Sequence, residues 1–138
     1  MATYRIVVYA EVLRKQVTRS VVSFARQLRR ELAKATPIDT GRAMAGWNAT
    51  IGSPDYTEPG LLSEGMTRKE AVSRGIERLD DFQLGNVFYI SNGVPYIGAL
   101  NGGHSDQAPS GFIEDTIDRF AQGHVGFENE DVFIEDVE

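Results

Sequence analysis

Apolar and polar positions change period several times along the chain. Tyr4, Ile6 and Val8 alternate with Arg5, Val7 and Tyr9, which predicts a short strand or a lead-in to a helix. From about Glu11 the period lengthens. Leu13, Val17, Val21, Phe24, Leu28 and Leu32 recur at spacings of three and four, a single stripe on a helix of roughly six turns. Arg14, Lys15, Arg19, Arg26, Arg29, Arg30 and Lys34 fall between them, mostly on the other faces. Such a helix must lie on something, most simply a sheet. Pro37 ends it, because the residue before a proline is driven out of the α region. Asp39 or Thr40 can then cap a short helical turn over Gly41 to Ala45. Trp47 to Ile51 alternates again, with Trp47, Ala49 and Ile51 on one face and Asn48 and Thr50 on the other, as a strand does.

Residues 53–65, SPDYTEPGLLSEG, read as a loop. Thr67 and Glu70 form a capping box. Ala71, Val72, Ile76 and Leu79 extend the predicted helix to about Asp81, with Gly75 as a weak point. Asn86 to Ser91, NVFYIS, is a strand of β-branched and aromatic residues. Asn92-Gly93 marks a turn. Val94 to Leu100 contains Pro95, which points to an edge or a short helix. Residues 101–111, NGGHSDQAPSG, form a second loop. Phe112, Ile113, Thr116, Ile117 and Phe120 then line a helix to about Gln122. The expected fold is α+β, a long N-terminal helix and one or two further helices packed on a small, mostly antiparallel sheet. Residues 1–122 are expected to be a single domain with a variable loop and helix at 53–82. Residues 123–138 read as an acidic, apolar-bearing tail that either frays or docks as an arm on a neighbour, by adding a strand to a free edge.

Composition changes this picture little. The chain has 138 residues and no cysteine, which excludes disulfides and thiolate metal sites. No apolar run approaches a membrane span, and no basic leader with a cleavage signal opens the chain, so a soluble intracellular product with no membrane partner is expected. Charge is more informative. The net of −6 divides into +6 over residues 1–42 and −12 over residues 43–138. A basic helix can be a solvated face, a nucleic-acid surface, or one half of a self-complementary pair in which the basic face of one copy meets the acidic face of the next.

Candidate chemistry is sparse. His104, Ser105 and Asp106 are adjacent in a Gly-rich loop, whereas a hydrolytic triad needs residues that converge in space, and no G-x-S-x-G elbow is present. His104, Asp106 and His124 lack the spacing of a zinc site. Glycines 98, 102, 103 and 111 do not make a phosphate loop. No catalytic residue, cofactor or metal is assigned, and an enzyme is not expected.

The stretch that organises the chain is Thr36 to Thr50, TPIDTGRAMAGWNAT, with Pro37, Asp39, Thr40, Gly41, Arg42 and Trp47 as a structural elbow. Asp39 can brace Arg42 across that elbow, or Arg42 can make an intermolecular ion pair or an anion contact. Trp47 reads as core, since Ala49 and Ile51 share its face. TPIDTGRAMAGWN, with NGVPYIGALNGGHSDQAPSGFIEDTI about fifty residues further on, resembles a family of small tail-completion or neck proteins of tailed bacteriophages, also called minor tail or head–tail joining proteins. The family pattern is a long helix ending in T-P-[VI]-D-T-G-R and an apolar strand with Trp. A variable loop and helix follow, then a strand ending in N-x-x-P-Y, a loop with G-x-S-x-Q-A-P-x-G and a closing helix. The resemblance covers residues 10–122. It departs at Asn101 and Gly102, where an acid or aromatic is common, and at Asp106, where a base is usual.

The resemblance implies a structural virion protein forming a ring at the neck or at the head-proximal end of the tail. Six copies per ring are implied, with other neck, connector and tail-tube proteins as partners. Genomic DNA would pass through the ring without sequence-specific binding. Localisation in the virion, and in host cytoplasm during assembly, follows from the same resemblance. The loops 53–65 and 101–111 are then the expected contact segments. The candidate contacts are Arg42, Tyr56, Pro95, Tyr96, His104, Gln107, Pro109, Phe127 and Phe133. The alternative function is a nucleic-acid-associated regulator using the basic helix.

Overall fold

The computed structural model describes residues 2–8, 14–38, 41–58, 67–123 and 132–136, with side chains described over 17–38, 41–58 and 67–123. Nine elements follow in order among these residues: β1 (Ala2–Val8), α1 (Arg14–Ala35), α2 (Arg42–Ala45), β2 (Trp47–Ile51), α3 (Arg68–Ser73), β3 (Phe88–Asn92), α4 (Ile97–Asn101), α5 (Phe112–Gln122) and β4 (Val132–Asp136). The fold is α+β, as the periodicity predicts. The four strands form one antiparallel sheet in the order β2-β3-β1-β4.

Helix α1 carries its stripe into the core. Val21, Phe24, Leu28 and Leu32 are buried, and each large side chain removed from water contributes on the order of 2 kcal/mol. Ala25 and Ala33 let the helix approach its neighbours closely. Phe24 also meets Phe120 of α5 at a ring separation of 5.2 Å, so α1 packs against both α5 and the sheet. Trp47, Ala49, Phe88 and Ile90 supply the sheet's half of the core.

The chain departs from its expected pattern in three places. Arg29, expected on a solvated face, is 1% exposed, because it follows Leu28 and stands one turn after Ala25 on the buried side. Asn48 and Thr50, on the face of β2 away from Trp47, are buried too. Residues 53–58 lie over that face, and the Asn48 amide donates to the Asp55 and Thr57 carbonyls, both at 2.8 Å. The third departure is the helix expected over 67–81. Thr67 and Glu70 do close a capping box, but α3 stops at Ser73.

Beyond Ser73 the backbone turns into the edge of β2. Ala49 N–H donates to the Ile76 carbonyl at 2.8 Å and Arg78 N–H to the Ala49 carbonyl at 2.9 Å, a short parallel bridge. The Asn48 carboxamide oxygen accepts from Ile76 N–H at 2.9 Å. Gly75 permits this turn. A Cβ there would lie 1.9 Å from the Trp47 carbonyl oxygen and 2.3 Å from an Arg29 guanidinium nitrogen. These edge bonds replace the helical ones that the 76–81 pattern would have made, and they cover one edge of the sheet.

At the opposite edge, β4 pairs with β1 from Tyr4 opposite Asp136 to Val8 opposite Val132. Part of the C-terminal tail thus forms a strand of the chain's own sheet.

Candidate functional site

The elbow is built from the end of α1 outward. Thr36 N–H still bonds back to the Leu32 and Ala33 carbonyls, and its hydroxyl donates to the Leu32 carbonyl at 2.7 Å. The same hydroxyl accepts the Trp47 indole N–H at 2.8 Å. Trp47 is fully buried, so this bond satisfies a donor that water cannot reach. Trp47 is therefore core. Pro37, which follows Thr36, is also buried.

Helix α2 starts without a side-chain cap. Its N-cap is Gly41 at φ 85°, a left-handed conformation that suits glycine and not the side chains expected to cap there. Asp39 and Thr40 lie outside the described residues. Arg42, the first residue of α2, makes a two-point ion pair with Glu58, Nε to Oε1 at 2.5 Å and Nη2 to Oε2 at 3.1 Å. Glu58 is a partner that sequence spacing did not suggest. Its hydrogen bond, and then its charge, hold the Arg42 pKa above its ordinary value. The guanidinium carbon also stands 5.6 Å from the centre of the Tyr96 ring.

Opposite this elbow lies the loop that follows α4. Gln107 grips the elbow backbone at one residue: Ile38 N–H donates to Oε1 at 2.8 Å, and Nε2 donates to the Ile38 carbonyl at 2.7 Å. The loop is held in turn by Asn101. Its amide donates to both Glu114 carboxylate oxygens, at 3.1 and 2.9 Å, and its Oδ1 accepts Ile113 N–H at 3.0 Å. Asn92, at the end of β3, ties the remaining side. Its amide donates to the Ala43 carbonyl at 2.9 Å while its oxygen accepts Val94 N–H at 3.0 Å.

Between elbow and loop is an open cleft of about 700 Å³, lined by Pro37, Gly41, Arg42, Ala43, Tyr96, Leu100 and residues 104–107. Four expected contacts, Arg42, Tyr96, His104 and Gln107, meet here. Tyr96 is the exposed large hydrophobic side chain among the described residues, 38% accessible. Pro95 and Pro109 are exposed outside the cleft lining. Tyr56 lies elsewhere, in a second cleft of about 650 Å³ with Asp55, Glu77, Arg78, Asp80 and Asp81. Phe127 and His124 fall outside the described residues, and Phe133 is described only as a backbone position in β4.

The Tyr96 cleft offers an aromatic face, a guanidinium held by a carboxylate, an imidazole and an amide. The Ser105 hydroxyl accepts from Gln107 N–H at 3.2 Å, and no hydrogen bond joins the His104 ring to Ser105 or Asp106 among the described residues. No group of three or more His, Asp or Glu among the described residues is arranged to hold a metal ion.

A dense electrostatic cluster among the described residues was not legible from sequence spacing. Glu77 accepts from Arg29 Nε at 2.9 Å and Arg30 Nε at 3.0 Å, and lies 3.3 Å from Arg26 Nε. Arg29 continues to the Trp47 carbonyl at 3.4 Å and the Val72 carbonyl at 3.0 Å. Burial lowers the Arg29 pKa, and the bond to Glu77 opposes that shift. The one available signal was Arg29's place beside Leu28, four residues after Ala25. No family model, curated protein or solved structure matches the chain.

Proposed function

We propose that the chain is a structural subunit of a tailed-phage virion. In this reading it assembles with copies of itself into a ring at the head–tail junction, or at the head-proximal end of the tail. The supporting observation is the Gln107–Ile38 pair of hydrogen bonds. The two sequence blocks that carry the resemblance start about fifty residues apart, and this pair joins them around one cleft with an exposed Tyr96 on its wall. An exposed aromatic beside a guanidinium is typical of the anchors that protein–protein contacts use. A ring needs two different complementary surfaces on each protomer, and the Tyr96 cleft supplies one.

Charge favours this reading over a nucleic-acid regulator. Arg26, Arg29 and Arg30 of α1 are engaged by Glu77 and Asp80, and Lys34 by Glu31. Cations paired in this way release few counterions on meeting phosphate. The acidic bulk of the chain suits the wall of a channel that DNA must traverse without sticking. An image of the assembled particle tests the proposal. It is expected to show this chain as a closed ring around the channel at the head end of the tail. Particles complete without the chain would overturn it.

A further inference from the structure

We propose that β4 is an exchangeable strand: within the assembled ring it lies on β1 of the neighbouring copy rather than on its own. The inference rests on the ring reading above and names what joins one copy to the next.

Strand β1 is interior only because β4 is present. In the order β2-β3-β1-β4, removal of β4 leaves β1 as an edge over Tyr4 to Val8, with a row of unpaired backbone groups. The other edge needs no such partner, since Ile76 and Arg78 already bond to Ala49 in β2. Among the described residues, β1 is the element that β4 packs along, whereas α1 packs against α5, β2 and β3 together. The attachment of β4 is therefore one ladder to one strand. That ladder is indifferent to which copy supplies β4: the same five residue pairs, with Arg5 opposite Glu135 among them, form within or between chains.

Covalent geometry limits how far β4 can reach. Residues 124–131, HVGFENED, separate α5 and Gly123 from β4, and eight residues span at most roughly 26–29 Å. Exchange therefore requires the neighbouring β1 to lie within that reach in the ring. Since the contacts are common to both arrangements, local concentration decides between them. A short tether gives its own strand an effective concentration of roughly millimolar. In dilute solution β4 then stays on its own chain. In a ring the neighbouring β4 is held at contact distance, and exchange around the ring leaves no β1 edge open.

The absence of native cysteine makes a disulfide trap clean. Ile6 is opposite Ile134 and Val7 opposite Phe133. In an antiparallel ladder one of two successive pairs is the closely spaced type that suits a disulfide. Full-length Ile6→Cys and Ile134→Cys chains are mixed in equal amounts at high concentration with isolated phage tail tubes, oxidised, and separated without reductant. Val7→Cys with Phe133→Cys is treated in parallel, and light scattering before oxidation records size. The expected result is a covalent dimer in the mixture for at least one pair, absent when either variant is oxidised alone. The corresponding double-cysteine chain is expected to give a ladder of covalent multimers. Oligomers in which the double-cysteine chain closes only on itself, with no dimer in the mixture, would overturn strand exchange and leave the ring intact. A protein that stays monomeric throughout would overturn both.

Discussion

Gln107 and Ile38 exchange two hydrogen bonds, one at 2.8 Å and one at 2.7 Å, so that one side-chain amide satisfies both polar groups of one backbone residue. The pairing fixes the loop after α4 against the end of α1 and sets the width of the cleft. Because both partners are near water, Gln107→Ala is expected to destabilise the chain by only about 1 kcal/mol. Its larger effect is local. Hydrogen exchange at the Ile38 amide is expected to accelerate, with exchange in the α1 core unchanged. Gln107→Glu is expected to be worse than Gln107→Ala, because a carboxylate meets the Ile38 carbonyl where the amide donated.

Trp47 separates packing from hydrogen bonding. Trp47→Ala is expected to cost about 3–5 kcal/mol in denaturant unfolding, since the side chain is fully buried. Trp47→Phe keeps much of the volume and removes the bond to Thr36, whose hydroxyl retains the Leu32 carbonyl as acceptor. Its expected cost is nearer 2 kcal/mol. Equal losses for the two variants would contradict this division.

Arg29 and Glu77 form the tie between α1 and the turn that covers β2. Arg29→Ala removes a fully buried side chain and its bonds to the Trp47 and Val72 carbonyls, while Glu77 keeps Arg26 and Arg30, and is expected to cost about 2–5 kcal/mol. Glu77→Gln leaves Arg29 and Arg30 without a carboxylate, while Arg26 keeps Asp80, and is expected to destabilise in the same direction. The corresponding changes at Arg19, exposed on the same helix, are expected to fall within about 0.5 kcal/mol.

Asp55 gives the acid limb a definite sign. Hydrogen bonds from Thr57, through its hydroxyl and then its backbone N–H, hold the Asp55 pKa below its ordinary value of 3.8, and Arg78 adds to the effect. The unfolded chain therefore binds the Asp55 proton more readily than the folded one. The stabilisation is complete above about pH 4 and is lost as pH falls through the lower, folded value. The melting temperature of Asp55→Asn is expected to lie below that of the parent at pH 7. The gap is expected to narrow as the two are compared at successively lower pH below 4.

Much of the fold was legible because its elements carry clean periods. The stripe from Val21 to Leu32, the alternation over Trp47–Ile51 and the pattern from Phe112 to Gln122 each appear as the element they predict. The failure over 76–81 has a physical cause. Ile76 and Leu79 have helical spacing, but β2 offers backbone partners to residues 76–78 instead, and Gly75, which has no Cβ, lets the chain pass close to the Trp47 carbonyl and Arg29. Local pattern cannot report a partner supplied from another element.

The same limit applies to the cleft. The sequence picked out Arg42, Tyr96, His104 and Gln107 singly, and the fold brings them together. It did not point to Glu58, sixteen residues beyond Arg42, or to Glu77, whose three arginine neighbours lie about fifty residues before it. Pairings over such distances depend on where the chain returns, which charge type alone does not encode.

In the proposed function this chain assembles into a ring at the end of a tail. Sedimentation of the purified 15.2 kDa protein, alone and with isolated phage tail tubes, tests it most directly. The chain is expected to sediment with the tubes at a fixed stoichiometry of several copies per tube end, and Tyr96→Ala is expected to abolish that binding while leaving the folded protein intact. A chain that remains at 15.2 kDa at every concentration and never sediments with the tubes would contradict the account.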